Sequence, residues 1–276
     1  VFLAVMFSAA LHAGWNAILK IRLEPLLAMA LVKLGGAVIC LPLVFVLGFP
    51  GSAAWPFLAA SVTIHMVYYS ALAGAYARAD MGQVYPIARG SAPMLTTLIG
   101  VFALGEAVSL QGKAGVAMIG AGILAMALRR AGDAAMDRRA LLLALATALT
   151  ITAYTLSDGL GARAAGDAIS YTAALFVLEG VFFFPLVWAL RGRAALEAVA
   201  SFAWPGLAGG AMSSAAYGIA IWAMTQAPIP LVAAAREASV LFGALIAVIV
   251  LKEPLRANRV LGALLILAGL VLIRLQ

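Results

Sequence analysis

The chain has very little charge. Only 11% of its 276 residues are Asp, Glu, Lys or Arg, against about 25% in an ordinary water-soluble domain. It has one cysteine, Cys40, so no intramolecular disulfide can form. It has two histidines, and no Walker A loop, HExxH, GxSxG or Cys/His cluster. These absences argue against a soluble fold, against ATP-driven transport by this chain alone, and against a bound metal or other cofactor. An integral-membrane enzyme would want His, Asp or Glu gathered at one interface, whereas His12 and His65 are far apart in order, so the chain does not read as an enzyme. The net charge of +7 comes from basic residues scattered over short loops, with no basic patch interleaved with aromatics, so no nucleic-acid partner is implied.

What is present is apolar: 65% of the residues. Runs of eighteen or more apolar residues recur from end to end, as expected of membrane-spanning helices. Punctuation by charge, Gly and Pro predicts ten spans near 1–19, 25–48, 54–77, 81–104, 110–128, 140–161, 168–190, 201–226, 228–251 and 258–275. The first lacks a basic leader region and contains His12, Trp15 and Asn16, which argues against a cleaved signal peptide. Loops 1–2, 3–4, 5–6, 7–8 and 9–10 carry twelve basic residues, from Lys20 to Arg259. The opposite side carries only Lys113, Arg163 and Arg274. The positive-inside rule therefore predicts cytoplasmic odd-to-even loops and both termini outside.

The sequence is also written twice. "LPLVFVL" at 41–47 echoes "FPLVWAL" at 184–190, "WPFLA" at 55–59 echoes "WPGLA" at 204–208, and "IARGS" at 87–91 lines up with "AAREA" at 234–238. "ALGE" at 103–106 matches "VLKE" at 250–253, Gly115 matches Gly262 and Gly122 matches Gly269. The separation stays between 143 and 149 residues, and the common order makes chance a poor explanation. Units at 1–131 and 138–276 would each hold five helices. An odd number of spans turns the second unit upside down. The expected fold class is thus an all-α integral membrane protein, ten transmembrane helices built as two inverted five-helix repeats. This is a construction of secondary transporters, with substrate bound near the midplane between halves.

With "ALGE" and "VLKE" closing the fourth helix of each half, the chain resembles the drug/metabolite transporter superfamily, in particular its EamA-type ten-helix members. Within that group it looks most like bacterial aromatic amino acid exporters of the YddG type. The resemblance implies a secondary transporter or facilitator in the bacterial inner membrane, a monomer or homodimer in lipid. It would export amino acids, aromatic or hydrophobic, and related metabolites by alternating access. It also implies cytoplasmic termini, in conflict with the charge count. Many relatives follow the ninth-helix glutamate with proline; here Glu237 precedes Ala238, which predicts a straighter ninth helix.

Polar residues at membrane depth are the candidate cavity residues, since an ionisable group there costs ~2.5–3.5 kcal/mol and faces a bundle interior or a wet cavity. Arg89 lies about nine residues, or roughly 13 Å, into the fourth span, and Arg236 is equally deep in the ninth. Their guanidiniums would either hold a substrate carboxylate or pair with Glu237, Asp158 or Glu179. Pro86 and Pro93 bracket Arg89 and predict a kink or gate lining the cavity, with Tyr85 and Ser91 beside it. His12, Trp15 and Asn16 share one face of the first helix. His65, Tyr68 and Tyr69 on the third span answer Ser213, Ser214, Tyr217 and Trp222 on the eighth, as walls for an aromatic ligand or as ordinary packing. Tyr154 and Asp158, near the far end of the sixth span, are candidates for the cavity edge, and Lys33 and Glu179 for snorkelling or an ion pair. The alternative function is proton-coupled efflux of drugs or cationic compounds, with Glu237 as the membrane carboxylate.

Overall fold

The computed structural model describes residues 1–18, 23–76, 78, 81–126, 137–249, 252 and 257–276, and among them there is no strand. The helices are α1 (Phe2–Ile18), α2 (Pro25–Leu47), α3 (Trp55–Tyr76), α4 (Met81–Leu104), α5 (Leu110–Met126), α6 (Arg138–Ala165), α7 (Ala168–Arg191), α8 (Arg193–Gln226), α9 (Ile229–Arg236), α10 (Ser239–Ile249) and α11 (Ala257–Arg274). Lys20, Arg22, Arg129, Arg130, Glu253 and Arg256 lie outside the described residues. Among the described residues, seven helical stretches are long and apolar enough to cross a membrane.

Their outward faces carry large apolar side chains: Phe45, Phe102, Leu110 and Trp204 are each more than 80% exposed. In water this would be untenable; in lipid it is the solvent-matched surface. The buried interior instead holds Lys33, His65, Arg89, Asp158, Glu179, Arg236 and Glu237. This polarity is reversed relative to a soluble protein and marks where function resides.

Local chemistry sets the helix ends. Asp137 caps α6 by accepting from the Ala140 amide at 2.8 Å, and Asp167 caps α7 by accepting from the amides of Ile169 and Ser170. Gly166 ends α6 at φ 71°, a left-handed conformation that favours glycine. Pro25 sits at the first position of α2, where its missing donor costs nothing. Helix α8 begins eight residues before its predicted span and changes direction at Phe202, whose φ of −128° and ψ of 26° are non-helical, three residues before Pro205.

The predicted straight ninth helix is corrected. It breaks into α9 and α10 at Glu237–Ala238 without a proline. Through the break the amides of Glu237, Ala238, Val240 and Leu241 each donate to the carbonyl three residues back, tightening the chain to 3₁₀-type pairing. By contrast α4 runs unbroken through both Pro86 and Pro93.

Helix α2 packs on α7 and α8, α3 on α6, α1 on α8, α4 on α5 and α6, and α5 on α11. Glycines let backbones touch. A methyl group placed on Gly115 would lie 2.8 Å from the Gly269 carbonyl oxygen, and one on Gly122 would lie 2.7 Å from that of Gly262. At the α2–α7 crossing, a methyl on Gly36 would lie 2.7 Å from the Phe176 ring.

Candidate functional site

Helix periodicity assembles the site. Arg89, Ala92, Pro93 and Thr96 share one face of α4, and with Ile151, Tyr154 and Thr155 of α6 and Ala233, Arg236 and Glu237 at the α9 break they line a small internal pocket. Arg89 grips Glu237 with two nitrogens, Nε to Oε2 at 3.1 Å and Nη2 to Oε1 at 3.0 Å. The planar fork matches the carboxylate. Arg236 lies 4.6 Å over the Tyr217 ring, a cation–π contact. Among the described residues no carboxylate lies within ion-pair distance of it.

Beside the pocket is an aromatic and acidic cluster. His65 stacks on Tyr154 with ring centroids 4.1 Å apart, and Tyr68, Tyr69 and Tyr217 surround it edge-on or tilted. Asp158 accepts from the Tyr217 hydroxyl at 2.6 Å and the Tyr171 hydroxyl at 3.0 Å. Lys33 donates to Glu179 Oε2 at 2.6 Å and lies against the Tyr69 and Phe176 rings. Burying such charges is tolerable only because each has a partner in place. Among the described residues no three His, Cys, Asp or Glu converge to hold a metal ion.

The structure therefore brings together Arg89, Arg236, Glu237, Pro93 and Tyr154 in the pocket, with His65, Tyr68 and Tyr217 adjoining it. Ser213 is buried one turn before Tyr217 on α8. The other candidates lie as follows in the fold. Ser91 is half-buried and does not line the pocket, because two residues of helix turn it away from Arg89. Trp222 is 39% exposed and borders an outer groove with Arg163, Asp167 and Gln226. Tyr154 and Asp158 are central and buried, since α6 begins before its predicted start and continues to Ala165, past the expected end. Trp15 Nε1 donates to His12 Nδ1 at 3.3 Å and Asn16 Nδ2 to the His12 carbonyl at 2.8 Å, and His12 is an electrostatic neighbour of Arg89 and Arg236. The Tyr85 side chain lies outside those described, and Pro86 is half-buried in the continuous α4. Thr96, Thr155 and Ile151 also line the pocket, and of these only Thr96 carries a signal in the sequence, its i+7 spacing from Arg89.

An all-helical bundle with an apolar exterior and a charged interior is what the EamA-like transporter family would build, and that family matches residues 138–275. The chain belongs to the EamA-like transporter family. It is thereby an integral membrane protein of the drug/metabolite transporter superfamily, a carrier of small molecules. A solved structure described only as a crystal structure of a protein superposes on this EamA-like chain with a TM-score of 0.74 at 18% identity. The match covers 99% of this chain and 95% of that one, and it shows a shared fold. No curated protein matches the sequence.

Proposed function

We propose that this EamA-like protein is a secondary transporter of amino acids, aromatic or hydrophobic, and related monocarboxylates across the bacterial inner membrane. Two inverted five-helix repeats, making ten transmembrane helices in all, would alternate about the Arg89–Arg236 pocket.

The repeat reading is supported by contacts that survive exchange of the halves. Displacing Gly115 and Gly122 by 147 residues yields Gly262 and Gly269, and the contacts Gly115–Gly269 and Gly122–Gly262 are then each other's images. Displacing Lys33 and Gly36 by 143 yields Phe176 and Glu179, so the Lys33–Glu179 ion pair is the image of the Phe176–Gly36 contact. Two-fold pseudosymmetry produces such closed sets.

The observation that carries the substrate reading is where this exchange fails. Arg89 corresponds to Arg236, but Glu237 corresponds to Gly90, which has no side chain. Glu237 pairs with Arg89 alone, and Arg236, held by a cation–π contact to Tyr217, leaves the pocket with one cation in excess. A ligand carboxylate supplies the missing partner, and Tyr154, which lines the pocket, offers ring surface to its apolar side chain. The same excess charge disfavours cationic drugs, and Glu237, already held by Arg89, is not the solitary carboxylate that such efflux would want.

Counterflow of labelled amino acids in proteoliposomes tests this. Arg236→Ala should lower uptake by about 10- to 150-fold, the equivalent of one charge-assisted hydrogen bond, and amines lacking the carboxylate should not be carried. Unchanged uptake in a folded Arg236→Ala protein, or equal transport of the amines, would sink it.

A further inference from the structure

His65 is buried at the junction of α2, α3, α6, α7 and α8 and does not line the pocket. Its Nδ1 is 2.9 Å from the Ser61 carbonyl oxygen, 3.2 Å from the Ser61 hydroxyl and 3.3 Å from Glu179 Oε1. A carbonyl can only accept, so Nδ1 carries a hydrogen. In the neutral ring the lone pair is then on Nε2, where no hydrogen bond forms among the described residues.

Every element packed around the imidazole presents a group that responds to charge. Lys33 comes from α2, with Tyr68 and Tyr69 beside His65 on α3. Tyr154 and Asp158 come from α6, Tyr171 and Glu179 from α7, and Tyr217 from α8. Asp158 is an electrostatic neighbour of both His65 and the Ser61 hydroxyl. Glu179 spends one oxygen on Lys33, while Oε1 is buried with His65 Nδ1 at 3.3 Å and the Tyr69 hydroxyl close by. A positive charge on the imidazole would be stabilised by this buried carboxylate.

Resting on the transport reading above, we infer that His65, set against the carboxylate of Glu179, is the binding site of a proton exchanged for substrate. A proton from water adds to the Nε2 lone pair, forming imidazolium; its loss on the other face of the membrane restores the neutral ring. No other bond changes. With His65 neutral, the buried cations Lys33, Arg89 and Arg236 balance the buried anions Asp158, Glu179 and Glu237. Protonation adds one uncompensated positive charge. The Tyr154 ring stacks on His65 and also lines the pocket. A substrate ammonium in the pocket and an imidazolium on the far side of the Tyr154 ring would repel in a poorly screened interior. The two therefore occupy the bundle in turn, the condition for exchange.

Proteoliposomes with the membrane potential clamped and one pH unit imposed provide the test. For one-for-one exchange, labelled phenylalanine should accumulate about tenfold, the equivalent of one pH unit. The amide of His65→Asn keeps a donor for the Ser61 carbonyl but has nothing at Nε2. Its plateau ratio should fall to one, a quantity independent of turnover rate. An undiminished ratio in His65→Asn, or wild-type counterflow with no accumulation, would overturn the inference. Absence of counterflow for every amino acid would instead sink the transport reading. The proton site is then judged by itself with ¹⁵N-histidine spectra of the full chain, which has two histidines. His65 should change from Nδ1–H to doubly protonated on acidification, with the transition moved by Glu179→Gln. A ring that stays neutral, or a transition indifferent to Glu179→Gln, would overturn it.

Discussion

Arg89 and Glu237, 148 residues apart, form a two-point ion pair in the interior of the bundle. One partner comes from α4, and the other from the break between α9 and α10. The pair thus links the two halves of the chain at the point where the ninth helix loses its regular pairing.

Removing one member leaves a buried charge without its partner. Arg89→Ala or Glu237→Ala should each cost about 3–5 kcal/mol. The double variant should cost less than the sum, because neither charge is then stranded. Thermal unfolding in detergent, run as a double-mutant cycle, measures this; additive losses would mean that the pair is not coupled.

The α5–α11 seam permits no side chain at its glycines. Gly122→Ala or Gly269→Ala drives a methyl group to 2.7 Å or 2.6 Å from a backbone oxygen and should destabilise by ~1–3 kcal/mol. Gly243, in α10 with nothing within 4 Å of its virtual methyl, is the control. Gly243→Ala should be neutral or stabilising by up to about 1 kcal/mol.

Arg163 ties three segments at one end of the bundle. It pairs with Glu106 and donates to the carbonyls of Met224 at 2.9 Å and Ala227 at 3.1 Å. If the halves rock, this latch opens. Joining Glu106→Cys to Arg163→Cys with a short thiol cross-linker, in a Cys40→Ser background, should slow flux at least about tenfold, with recovery on cleavage of the linker. Flux that persists through the cross-link would mean that the contact does not open during transport.

At the opposite loops, Arg191 hydrogen-bonds Glu24 with Nε and Nη2 and holds its carboxyl below the usual carboxylate range. A depressed carboxyl contributes its stability above its unfolded pKa and loses it as pH falls through the folded value. The wild type should therefore exceed Glu24→Gln in melting temperature near neutrality and converge with it in acid. Both side chains are exposed, so the gap should be small and shrink in high salt. A gap insensitive to pH and salt would refute an ionic origin.

Twelve basic residues on one side against three on the other predict external termini. A carboxy-terminal alkaline phosphatase fusion should be active, and a fluorescent protein there dark. The reverse result would place the chain in the orientation expected from its resemblance to the family.

Composition and periodicity determined that this chain is helical and membrane-embedded, and they singled out the arginines at 89 and 236. These conclusions depend on burial cost and on spacing, both of which are local properties of the sequence. Only the tertiary structure decided that Glu237 belongs to Arg89, that His65 stands among Tyr154, Glu179 and Lys33, and that Trp222 points away from the pocket. Those outcomes depend on how far each helix extends and on the rotation of one helix against another. In so uniformly apolar a chain, the hydrophobic pattern sets that rotation weakly. The contacts of glycines and buried charges from distant segments set it instead.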